Sequence, residues 1–136
     1  MITAVNTMLS DKLTKAGFEV YEEYSAAKPL KAGVYTALWR TERLTLGEYR
    51  QAANANSKCS AAVKVHIRLL GGKKNFDDAA VLQSMAHNAA GELYFSSPLA
   101  VISLTCGAPK RNAALGRLEQ VIEAEYTLAI KKEDLK

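Results

Sequence analysis

Cysteine, histidine, proline and tryptophan are all scarce in this 136-residue chain, which has two, two, three and one of them. The two cysteines, Cys59 and Cys106, have no CxxC spacing and no histidine cluster nearby. They read as buried or idle thiols, and a reducing compartment disfavours a disulfide. His66 and His87 have no Cys, Asp or Glu at metal-ligand spacing, so no metal is expected. Aromatic residues make up 7% of the chain and are scattered, so no stacking platform for RNA is visible. No apolar run approaches the roughly 18 residues needed to span a bilayer. The start, Met1 to Asn6, lacks the basic and apolar regions of a secretory signal. The expectation is a protein made and kept in a cytoplasm. Gly71-Gly72-Lys73-Lys74 lacks the GxxxxGK[ST] spacing of a phosphate loop, and Asn75 supplies no hydroxyl for magnesium.

Apolar residues are plentiful, at 49%, which argues for a packed core within a single domain spanning 1–136. The net charge of +4 is mildly basic. Basic residues cluster as Lys73-Lys74, Lys110-Arg111 and Lys131-Lys132. They read as solvated loop and terminus charge, or as a surface facing a polyanion or an acidic partner.

The clearest pattern runs from Ser60 to Tyr94. Val63, Val65, Ile67 and Leu69 alternate with Lys64, His66 and Arg68, as in a strand with one face on a core and one in water. Gly71-Gly72 breaks it. Asn75 is placed to cap a helix carrying Asp77 and Asp78 in its first turn. Ala79, Leu82, Ala86, Ala89, Ala90 and Leu93 then share one helical face. Val65, Ile67, Leu82, Ala86 and Leu93 are therefore the expected core.

Upstream, Thr3–Ala16 reads as a helix with Ile2, Val5, Leu9, Leu13 and Ala16 on one face, ended by Gly17. Phe18–Tyr24 and Val34–Leu44 read as strands. Arg40 to Cys59 reads as a projecting ribbon and loop, with a long connection from Thr45 to Cys59. Downstream, Leu99–Thr105 reads as a strand, with Leu99, Val101 and Ser103 on one face and Ala100, Ile102 and Leu104 on the other. Cys106–Gly116 reads as a polar loop containing the basic pair Lys110 and Arg111. Ile122 to Ile130 alternates with period two and reads as the last strand. The expected fold class is α+β: a mixed, mainly antiparallel sheet of about five strands, with two helices packed on one face.

No catalytic constellation stands out. Glu123 and Glu125 share a strand face, first as a solvated or ion-pairing surface and second as an acid–base pair. The second strand carries apolar groups on both faces, Leu38 on one and Trp39 on the other, so one face needs a second cover. A neighbouring subunit would supply it. Glu123 and Glu125 on one edge, and Arg40, Arg43 and Arg50 beside the ribbon, would favour head-to-tail contacts that close into a ring. The candidate interface is thus Trp39, Arg40, Arg43, Tyr49, Arg50, Glu123 and Glu125.

The order of elements resembles the tail terminator proteins of long-tailed bacteriophages, the lambda-like minor tail family and its prophage relatives. The features in common are the helix of Ile2–Ala16, an early strand, the ribbon hairpin of Val34 to Leu70, the covering helix of Phe76 to Leu93 and the closing alternating strand, Ile122 to Ile130. This resemblance implies a structural tail protein that is not an enzyme. It implies a hexameric ring that caps the tail tube and presents the head-docking surface. Its partners would be its own copies, the tail-tube protein and the head–tail connector, with DNA at most passing through the ring. It implies no cofactor and no membrane contact, and a place in the virion tail after assembly in the host cytoplasm. The family offers no short motif by which functional residues carry over, and the basic charge here is a departure. The alternatives are a head–tail joining or neck protein, a small dimeric ligand-binding regulatory domain, and an enzyme using Glu123, Glu125 or His66.

Overall fold

The computed structural model describes residues 3–24, 31–50 and 58–131, with side chains for all of these except 48–50 and 58. The element order is α1 (Thr3–Lys15), β1 (Glu19–Glu22), β2 (Thr36–Arg50), β3 (Lys58–Leu70), α2 (Ala79–Phe95), β4 (Ala100–Cys106), β5 (Lys110–Asn112) and β6 (Arg117–Lys131). The strands form one six-stranded sheet in the order β1-β2-β3-β6-β4, with β5 also on β6. Among the described strands, only the β1–β2 pair is parallel. This is the expected α+β class, with six strands rather than five.

Alternation on β3 dictates the layering. Val63, Val65, Ile67 and Leu69 are at most 1% exposed and meet Val5, Leu9 and Leu13 of α1 and Leu82, Ala86, Ala89 and Leu93 of α2 in one core. The expected core residues all lie in it. Ile2 lies outside the described residues. Gly17 stops α1 with a left-handed φ of 102°, and a Cβ there would press on Met85. At the far end of α2, the buried Tyr126 hydroxyl donates to the Leu93 carbonyl at 3.0 Å, tying the helix to β6. Burial pushes the Tyr126 phenol well above its ordinary pKa.

Four local expectations need correction. First, α2 begins at Ala79, and Asn75 does not cap it: the Asn75 amide donates to Asp77 at 2.7 Å. Asp78, in the N-cap position, turns inward and accepts from the Gly72 N–H at 2.9 Å. A Cβ on Gly71 would lie 2.9 Å from the Asp78 carboxylate, so Gly71 serves close packing of turn against helix, while a Cβ on Gly72 would press on Gly33 and the Tyr35 ring. Second, β2 and β3 continue through most of the expected ribbon and loop. Leu44, Thr45, Leu46 and Arg50 pair with β3, and β3 pairs with β6 on its other side. Residues 51–57 of the expected loop lie outside the described residues. Third, β4 carries a bulge between Val101 and Ser103. The extra residue reverses the alternation, so Val101, Leu104 and Cys106 share the core side. Fourth, Lys110 and Arg111 belong to a short strand, not a loop.

Candidate functional site

The face of the sheet turned away from the helices is built by the even residues of β3. Each is flanked in register by residues of β2 and β6: Arg40, His66 and Glu123 form one row, and Arg43, Lys64 and Glu125 the next. Side chains in such rows stand about 5 Å apart, so long charged groups reach across strands.

Two networks result. In the lower one, Glu23 sits at the hub, accepting from Arg40 at 2.6 Å and from Arg68 at 3.0 Å. Arg68 also donates to Glu119. Glu23 has only 12% of its side chain exposed. Burial alone would raise its pKa, but the hydrogen bonds from Arg40 and Arg68 outweigh that and hold the carboxyl below its ordinary value. Burial likewise disfavours the charged Arg68, and its bonds to Glu23 and Glu119 outweigh the cost and raise its pKa. The upper network is more open. Lys64 lies 3.3 Å from Glu123 and 3.7 Å from Glu42, and Arg43 lies 3.4 Å from Glu125. His66 Nδ1 lies 3.8 Å from Glu123 and has no hydrogen-bond partner. A notch of about 230 Å³ opens here, lined by Arg43, Lys64, Ser103, Thr105, Glu123 and Glu125.

The candidate interface residues fare differently. Trp39 is 3% exposed and lies in the chain's own core. Its cover is internal, which removes the need for a neighbour there. Arg40, Arg43, Glu123 and Glu125 come together on one face instead of separating to distant edges, and each has a partner within the chain. The backbones of Tyr49 and Arg50 belong to β2, but their side chains lie outside the described residues. Arg111 stacks over Phe76 at 5.2 Å and Lys110 is exposed. Cys59 and Cys106 are free thiols, half-buried. Burial raises the Cys106 pKa against the hydrogen bond from Gln120, so this thiol is a poor nucleophile. His87 is exposed on α2.

Sequence reasoning missed Glu23 and Glu119 as partners of Arg68, because the strand register brings together residues 45 and 51 positions apart. It also missed the sheet edges. Beyond Trp39, the outer edge of β2 has no strand partner among the described residues. Leu44 and Leu46, on the core side of this stretch, are 39% and 49% exposed. At the opposite edge, Ile102 in the β4 bulge is 53% exposed.

No protein-family model matches the chain. No curated protein matches it.

Proposed function

We propose that this chain is a structural subunit of a phage or prophage tail, forming a hexameric ring that ends tube growth and offers the head-docking surface. The observation that supports this reading is the pair of sheet edges, on opposite sides of the sheet, that have no strand partner among the described residues. Each edge displays apolar side chains, Leu44 and Leu46 on β2 and Ile102 on β4. Exposed backbone edges are templates for strand addition. Different patches on two sides of a subunit are what head-to-tail assembly uses, and such contacts close into rings when the rotation permits. The mechanism is steric: a ring docked on the last tube ring covers the surface that another tube subunit would occupy. Rim ion pairs such as Arg43–Glu125 set orientation, while the apolar edges carry the affinity.

The head–tail joining role uses the same edges and is the near alternative. For the ligand-binding reading, the notch beside Glu123, at about 230 Å³, is below the size of ordinary small-molecule pockets, and the groove of about 660 Å³ along α1, lined by Asn6, Thr7, Ser10, Asp11, Thr14 and Lys15, is shallow and open to solvent. The deciding experiment is complementation. A phage lacking this gene is expected to make tails of abnormal length, and the supplied protein to restore them. Tails of normal length without the protein would refute terminator function.

A further inference from the structure

Ion pairing is unevenly distributed over this molecule. Lys12, Lys15, Lys31, Arg40, Arg43, Lys64 and Arg68 each have a carboxylate within 4 Å. Lys131 also has a partner. Among the described side chains, the basic groups without such a partner are Lys73, Lys74, Lys110, Arg111 and Arg117, and all five collect at one end of the sheet.

Strand register explains the collection. β5 lies on the first residues of β6, pairing Lys110 with Glu119, Arg111 with Leu118 and Asn112 with Arg117. On the other side of β6, the Gly71 N–H donates to the Leu118 carbonyl at 2.8 Å, which places the Gly72–Lys74 turn beside the same residues. The Arg111 guanidinium over the Phe76 ring, at 5.2 Å, joins the two basic pairs directly. Thus Lys73-Lys74 and Lys110-Arg111, far apart in the chain, become neighbours, and all four are exposed. Below them Arg117 is 2% exposed, and its Nε and Nη1 have no hydrogen-bond partner. A buried guanidinium without a paired carboxylate adds to the positive field above it. The nearby acids cancel only part of that field. Asp78 is as buried as Arg117 and offsets it, Glu119 is held by Arg68, and Asp77 is exposed and bonded to Asn75, so the four exposed cations remain in excess.

We propose that this end of the domain, formed by the Gly72–Asn75 turn and β5, binds the phosphodiester backbone of double-stranded DNA without regard to sequence. Backbone binding needs exposed cations and little else. A protein partner would require a buried apolar anchor. The two aromatics beside the patch are half-buried and engaged: Phe76 is covered by Arg111, and Tyr35 lies against Gly72 with its hydroxyl bonded to Asp78. No aromatic platform for unstacked bases is present in the patch, which favours duplex over single strands. The inference does not depend on the ring or on tail termination.

The test is fluorescence anisotropy with a labelled duplex of random sequence, titrated at several salt concentrations. Four exposed cations predict a slope of log K against log salt of about −4, a loss of roughly a hundredfold between 50 and 200 mM. Lys73→Ala, Lys74→Ala and Lys110→Ala are each expected to flatten that slope by about one unit. All three residues are exposed and unpaired, so the variants should fold as the parent does, and circular dichroism checks this. Lys15→Ala, on α1 and paired with Glu92, is expected to leave the slope unchanged. Absence of binding at low salt overturns the proposal, as does binding that the three lysine variants leave intact. A polyglutamate peptide of matched charge that binds more tightly than the duplex also overturns it and reassigns the patch to an acidic protein.

Discussion

On the helix side of β3, Val63, Val65, Ile67 and Leu69 are sealed from water by two helices. One position along the same strand, Lys64, His66 and Arg68 have 33%, 16% and 24% of their side chains exposed and are surrounded by carboxylates. The two faces are held together by different physics. The inner face depends on volume: any apolar side chain of the right size fits, and a smaller one leaves a cavity. The outer face depends on matching: each charge needs a partner supplied by another strand, and its value falls with exposure and salt. The inner face is thus expected to carry stability, and the outer face to set register and leave the edges free for other contacts.

Removing the largest inner side chain tests this contrast most severely. Trp39→Ala is expected to destabilise the isolated protein by about 3–5 kcal/mol, read by chemical denaturation. A loss below about 1 kcal/mol would return Trp39 to a surface or intersubunit role. Leu82→Ala, on the facing side of α2, is expected to cost about 2–5 kcal/mol by the same measurement. A near-neutral result would mean that α2 is not firmly seated on the sheet.

The inner face was legible in the sequence because period two and period 3.6 can be read along the chain. Val63 to Leu69 and Leu82 to Leu93 needed no knowledge of neighbours. The outer face was not legible. Glu23 lies just past β1, Arg68 on β3 and Glu119 on β6, and nothing local in the sequence marks them as one group. Ile102 shows a second limit. Strict alternation put Leu104 on the same face as Ala100, and one bulged residue moved it to the core side with Val101. The double glycine shows a third. Gly71 and Gly72 mark a turn in any reading, but the inward Asp78 that crowds Gly71, and the Gly33 backbone and Tyr35 ring that crowd Gly72, are visible only in three dimensions. Trp39 misled because apolar residues on both faces of β2 suggested a missing neighbour, whereas the helix layer already covers Trp39, and Leu38 lies half-buried in register with Arg68 on the charged face.

The Glu23 hub is the strongest point of the outer face, and pH separates it from the core. Its carboxyl pKa is lower in the folded chain than in the unfolded one. Its contribution is therefore fully present above the unfolded carboxylate pKa and is lost as pH falls through the folded value. Glu23→Gln is expected to destabilise by about 1–2 kcal/mol near neutrality, since a charged acceptor for two guanidinium groups is replaced by a neutral one. The gap between the two proteins should close below the ordinary carboxylate range, in denaturation curves taken at stepped pH. A gap that persists in acid would assign the loss to packing instead of charge.

The smallest effect is expected in the upper network, at Arg43 and Glu125. Their contact is 3.4 Å long, and 62% of the Arg43 side chain is exposed. It must also pass Lys64, a like charge in the same row, which lies closer to Glu123. Coulomb attraction in so wet a setting is weak, and holding the long arginine in place costs side-chain entropy. A double-mutant cycle with Arg43→Gln and Glu125→Gln is expected to give a coupling of about 0–1 kcal/mol. That coupling should vanish in 1 M salt, where the screening length falls to about 3 Å. Replacing Lys64 by Gln should strengthen it slightly, because the repulsion across the row is removed. A coupling above about 2 kcal/mol that survives salt would mean that the upper rows are dry, and the two faces of β3 would then differ in chemistry but not in environment. Should the proposed ring form, the same cycle repeated in it is informative for the same reason. If a neighbour covers this end of the sheet, water is excluded from Arg43 and the coupling should rise above its value in the isolated chain.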